Sequence, residues 1–123
     1  HFGKDVIVHR KGATLAREGV IGIIPGSQGT ASYIVEGLGN PDSFCSCSHG
    51  AGRVLSRKAA IKTLDMNAEV RNLEAKGIIH AIRCQDDMQE ASGAYKDIDT
   101  VIANESDLVK VKTKLLPIAV IKG

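Results

Sequence analysis

The apolar residues of this chain arrive in short β-branched runs, and glycine or proline closes each run before it can grow. Residues 5–9 (DVIVH) give way to Arg10-Lys11-Gly12. Residues 20–24 (VIGII) are interrupted by Gly22 and stopped by Pro25-Gly26, and residues 30–35 (TASYIV) run out before the turn at 37–42 (GLGNPD). Runs of this kind read as strands, and the glycine and proline clusters between them read as turns. In the third run, alternation puts Ala31, Tyr33 and Val35 on one face.

The remainder divides between helical and extended patterns. Residues 53–64 have helix-forming composition, with Val54, Leu55, Ile61 and Leu64 on a partly apolar face. Arg53, Arg57, Lys58 and Lys62 give that stretch positive charge with no acid among them. Residues 67–76 predict another helix with Gly77 as its C-terminal stop. A strand is predicted at 78–84 (IIHAIRC), a helix at 96–104 after Gly93-Ala94-Tyr95, and closing strands at 108–114 and 118–122. The pattern predicts an α+β fold with mixed, mostly antiparallel sheets and a few helices.

A chain of 123 residues is one domain's worth, too short for two independent cores. Two tyrosines, two phenylalanines and no tryptophan argue against a stacking platform for single-stranded nucleic acid. Sixteen basic against fourteen acidic residues leave a net charge of +2, so any electrostatic argument rests on where the charges fall. Cys45, Cys47 and Cys84 are an odd set, which predicts reduced thiols in the cytoplasm rather than a disulfide framework. The opening residues lack the apolar core of a signal peptide, and no apolar run approaches the roughly 20 residues that cross a bilayer. A chain that opens on His1 and runs straight into strand-like sequence is expected to be a piece of a longer polypeptide.

Chemistry concentrates in Ser48-His49-Gly50-Ala51-Gly52-Arg53. Small residues let backbone approach a ligand, and a helix starting next in sequence would offer unpaired amides and a positive dipole end, a seat for phosphate. Arg53 adds a planar cationic fork. A helix N-terminus would hold the His49 imidazole neutral, and a neutral imidazole beside phosphate is a nucleophile. Composition alone leaves another reading open, a glycine-rich turn with a half-exposed histidine.

The run NPDSFCSCSHGAGRVLSRKAA, with VHRKGAT, IIPGSQGTASYIV, GAYKDID and the terminal IAVIKG, closely resembles the C-terminal part of the RtcB family of RNA-splicing ligases. The likeness extends over nearly the whole chain, which implies that residues 1–123 form the C-terminal nucleotide-binding part of the larger RtcB-type fold. It implies a GTP-dependent enzyme that joins RNA ends bearing a 3′-phosphate or 2′,3′-cyclic phosphate to a 5′-hydroxyl. By this resemblance His49 is the nucleophile that becomes linked to GMP. Gly50, Ala51 and Gly52 line the phosphate and ribose, Pro25, Gly26, Ser27, Gln28 and Ser32 form another part of the pocket, and Tyr95 and Lys122 meet the guanine. The family also uses manganese, whose Asp, Cys and His ligands are expected upstream of this chain. Arg57, Lys58 and Lys62, and Arg10 and Lys11, are candidate RNA contacts or ordinary solvated charges.

Two readings from other classes remain beside it. One is a noncatalytic nucleotide- or RNA-binding module that kept the pocket and lost the chemistry. The other is a small metalloprotein using Cys45, Cys47 and His49, although their one-residue separations do not match the wider spacing usual for zinc ligands. No metal ligand is assigned within the chain. His9 and His80 read as structural histidines, and Cys84 as a small buried hydrophobe.

Overall fold

The computed structural model describes residues 1–121. Strands β1 (Ala13–Leu15), β2 (Ile21–Ile24), β3 (Ser32–Gly37) and β4 (Ser46–Ser48) come first. Helices α1 (Arg57–Thr63), α2 (Met66–Ala75) and α3 (Ile98–Ala103) follow, and strand β5 (Val109–Leu115) comes last. Short 3-10 segments occupy Pro41–Ser43, Gln85–Glu90 and Ser92–Ala94. The architecture is α+β, and both sheets are antiparallel.

β3 is the central strand of the larger sheet, paired with β2 on one side and β5 on the other. Its alternating pattern is the cause. Tyr33 and Val35 are 6% and 1% exposed, and with Ala31 they face a core shared with Ile24, Ile98 and Val109. Burying a side chain such as Ile24 or Val35 stabilises the fold by about 1.5–3 kcal/mol. The register with β5 shifts between Ile34 and Val35, leaving Lys112 without a direct cross-strand partner, and its ammonium bonds Glu36 at 2.8 Å. The smaller sheet pairs β1 with β4, so Thr14 opposes the buried Cys47.

Several elements depart from the sequence reading. Residues 5–9 form no strand; no ladder partner lies beside them among the described residues, and Ile7 is 86% exposed. The strand in this region is β1, which follows Arg10-Lys11-Gly12. Among the described residues, the strands predicted at 78–84 and 118–122 are represented by one parallel bridge, Ile79 with Ala119, closed by Ile79 N–H to the Ile118 carbonyl (3.0 Å) and Val120 N–H to the Ile79 carbonyl (2.8 Å). Cys84 is exposed rather than buried, and His9 is exposed as well.

The helix predicted from Arg53 starts instead at Arg57. Ser56 caps it by accepting from the Ala59 amide at 3.1 Å. The preceding residues are held out of the helix: Arg53 pairs with Tyr95, and the Val54 and Leu55 amides both donate to the Ala94 carbonyl. Tertiary pairing overrides helix propensity here. α2 ends as predicted, with Gly77 at φ 67°. The Ile78 amide reaches the Leu73 carbonyl, and the Gly77 amide reaches that of Glu74.

Candidate nucleotide site

His49 follows β4 directly. Glu105 anchors the end of that strand by accepting from the Ser48 amide at 2.7 Å, and the His49 amide donates to the Gly12 carbonyl at 3.3 Å. The chain then crosses between two distant segments. The Ala51 amide donates to the Pro25 carbonyl (3.1 Å), and the Gly52 carbonyl accepts from the Lys96 amide (2.9 Å). Gly52 makes this turn at φ 75°, a conformation that disfavours a side chain. The result is an exposed imidazole over a cleft of about 650 Å³, lined by Gly50, Ala51, Gly52, Lys96, Asn104 and Glu105 among others.

This geometry corrects the reasoning from sequence about phosphate. α1 begins at Arg57, so no helix N-terminus follows the loop directly and the helix-end argument for a neutral His49 does not hold. The amides of His49, Gly50 and Ala51 are already bonded within the chain, to Gly12, Ser48 and Pro25. Positive charge in this cleft comes from a side chain, Lys96, whose stem lies over Gly52.

A second cleft, of about 380 Å³, collects Pro25, Gly26, Ser27, Gln28, Ser32 and Tyr95, together with Glu90 and the tail up to Ile121. Because Pro25 in this cleft bonds Ala51 in the other, the two share a wall. Side chains brace the 25–30 turn: Gly26 N–H donates to Ser32 Oγ (3.3 Å) and Ser27 N–H to Thr30 Oγ1 (2.7 Å). The hydroxyl of Ser92 binds both Ser27 Oγ and the Gly29 amide. Gln28 Oε1 is buried and has no hydrogen-bond partner among the described residues. Tyr95 donates its phenol to Glu90 (2.5 Å) and accepts from Arg53 (3.0 Å). Burial, then the Glu90 bond, push that phenol above its ordinary pKa.

The structure therefore gathers the described candidates into two adjoining clefts, His49 through Gly52 in one and Pro25 through Gln28, Ser32 and Tyr95 in the other. Lys122 lies outside the described residues. Arg10 is spent internally, on Ser46 Oγ (2.8 Å) and the Phe44 carbonyl (3.1 Å), while Lys11, Lys58 and Lys62 are exposed. Three residues were missed in the sequence: Glu90, Lys96 and Glu105. Lys96 stands inside the GAYKDID block, whereas the two acids sit in polar stretches that carry no signal.

The three cysteines are free thiols, with Cys47 buried and Cys84 exposed. Burial, then the nearby Glu105, push the Cys47 thiol up to about 11. Among the described residues, no group of three or more His, Cys, Asp or Glu is placed to hold a metal ion. No helix among them is long and apolar enough to cross a membrane.

Comparison with known proteins gives the context. Residues 1–123 match the family model described as tRNA-splicing ligase RtcB. The chain is 49% identical over 123 residues to the RNA-splicing ligase RtcB of Escherichia coli strain K12, covering 100% of this chain and 29% of that protein. It is 42% identical over 136 residues to the tRNA-splicing ligase RtcB of Pyrococcus horikoshii (96% and 16%), and 39% identical over 137 residues to the RNA-splicing ligase RtcB of Mycobacterium tuberculosis (98% and 32%). The chain spans a third or less of the length of these relatives.

Proposed function

The chain belongs to the RtcB family, and from that premise we propose that it is the nucleotide-binding, nucleophile-bearing part of a GTP- and manganese-dependent RNA ligase. The reaction joins RNA 3′-phosphate or 2′,3′-cyclic phosphate ends to 5′-hydroxyl ends through GMP carried on His49. One observation carries the reading. Three segments far apart in sequence, at Pro25, at Gly50–Gly52 and at Tyr95–Lys96, are stitched together by backbone bonds beside an exposed imidazole.

In this scheme a ring nitrogen of His49 attacks the α-phosphorus of GTP. The new N–P bond forms as the bond to the bridging oxygen breaks, pyrophosphate departs with the electron pair, and the ring loses a proton to solvent. The Glu105 bond to Ser48 and the Gly12 bond to His49 fix the backbone that carries the nucleophile, so orientation is set before GTP arrives. Lys96 meets charge developing on the phosphates, and the 25–28 turn, Ser32 and Tyr95 hold the nucleoside. Once any cyclic end has been opened by water, an oxygen of the RNA 3′-phosphate takes the guanylyl group from His49. The 5′-hydroxyl oxygen then attacks the RNA phosphorus and expels GMP. Exposed Lys58 and Lys62, four residues apart on one face of α1, attract RNA phosphates without reading sequence.

Bound manganese would act as a Lewis acid on the phosphates. The described residues do not form a site for it, so its ligands are assigned to sequence outside this chain and no step above runs through it. The test is guanylylation of the full-length protein with manganese and GTP labelled at the α-phosphate. Label is expected on the wild type and absent from His49→Ala; label that survives the substitution rules out the nucleophile. Label from the γ-phosphate instead would rule out the reaction.

A further inference from the structure

We propose that Glu90 is a positioning residue for the nucleotide cleft, fixing the Tyr95 ring as a wall and holding the Arg53 guanidinium behind it. The proposal rests on the GTP reading above and deepens it by one residue that neither the motifs nor the comparisons single out. Glu90 closes one 3-10 segment, and the next one (Ser92–Ala94) turns the chain back, so that Tyr95 returns to the Glu90 carboxylate.

The described bonds to the Tyr95 oxygen fix where its proton goes. Arg53 Nη1 can only donate, so it occupies a lone pair of the Tyr95 oxygen at 3.0 Å. The one phenolic proton must then go to Glu90 Oε2, at 2.5 Å. Arg53 cannot swing away, because Nε bonds the Leu55 carbonyl at 3.0 Å and Nη2 bonds the Gln89 carbonyl. Its guanidinium carbon stands 4.8 Å from the Tyr95 ring centroid. The other carboxylate oxygen, Oε1, lies 3.5 Å from Arg53 and 3.6 Å from Arg57, balancing two cations that would otherwise repel. Glu90 and Arg53 are each only 24% exposed, so these bonds are partly shielded from water.

Without Glu90 the phenol loses its acceptor, the two guanidiniums lose their counter-charge, and the ring is no longer held against the cleft of Pro25, Gln28 and Ser32. A binding site that must order its own wall loses affinity. The loss therefore falls on nucleotide binding and spares the transfer to His49.

The experiment measures the rate of α-phosphate labelling of full-length protein against GTP concentration, for Glu90→Ala, Glu90→Gln and Tyr95→Phe, with His49→Ala as control. Glu90→Ala is expected to raise the half-saturating GTP concentration about tenfold, the size of one bond to a charged group, while the maximal rate stays within about twofold of wild type. Tyr95→Phe shares the direction, and Glu90→Gln, which keeps an acceptor for the phenol, recovers part of the loss. Wild-type half-saturation in Glu90→Ala or in Tyr95→Phe overturns the proposal, as does a Gln variant no better than Ala. Should Glu90→Ala fail to fold, Tyr95→Phe decides it: a raised half-saturating GTP concentration sustains the proposal and a wild-type one overturns it. Label surviving His49→Ala overturns the proposed function instead, so the two failures are told apart.

Discussion

Gly26→Ala tests the local architecture most sharply. A methyl group there would sit 2.0 Å from the Ala31 carbonyl oxygen, 3.1 Å from its carbon and 2.6 Å from Thr30 Oγ1. Carbon–oxygen contacts settle near about 3.3–3.6 Å, so the backbone at one side must retreat by about 1 Å or more. The nearest obstacle is main chain, and no rotamer change relieves it. Moving the turn strains the Gly26–Ser32 and Ser27–Thr30 bonds (3.3 and 2.7 Å). Each such bond contributes about 0.5–1.5 kcal/mol, and overpacking adds about 1–3, giving a loss of about 2–6 kcal/mol. The assay is urea unfolding of the full-length protein, read beside Gly22→Ala, whose added methyl meets only Val35 Cγ2 at an ordinary 3.7 Å. Gly26→Ala should lower the midpoint at unchanged slope and weaken GTP labelling, and Gly22→Ala should do neither. Stability within about 0.5 kcal/mol of wild type for Gly26→Ala would refute the packing described here.

Two further outcomes are expected. In native protein near pH 8, iodoacetamide should modify exposed Cys84 well before Cys47, whose burial-raised thiol of about 11 leaves little thiolate; equal rates would contradict the burial. Burial raises the Glu105 carboxyl in the fold, so its favourable share is complete below the unfolded carboxyl range and is lost as pH rises through the raised native value. Glu105→Gln, which keeps an acceptor for the Ser48 amide, should therefore stabilise the protein at pH 7 and lose that advantage below about pH 4. Urea midpoints at both pH values check this, and a Gln variant less stable at pH 7 counts against it.

Elements carried by local pattern were legible in the sequence, and elements made by distant partners were not. β3 follows from the alternation of Ala31, Tyr33 and Val35, and the end of α2 follows from Gly77. The start of α1 differs from its sequence pattern because the bonds that hold residues 53–55 out of the helix come from Ala94 and Tyr95, some forty positions away and invisible to helix propensity. The run at 5–9 misled for the opposite reason: its β-branched residues favour a strand, yet a strand needs a neighbour. At the candidate site, glycine and serine marked the loops. The acids that brace them, Glu90 beside Tyr95 and Glu105 beneath Ser48, gain meaning only once the chain is folded.

The covalent chemistry at His49 is open to one direct reading. Full-length protein is incubated with GTP and manganese, digested under conditions that preserve phosphoramidates, and its peptides are sequenced by mass spectrometry. The account predicts a guanylyl group on the imidazole of the peptide spanning Ser48-His49-Gly50. The same group on another side chain, with His49 unmodified, would contradict it.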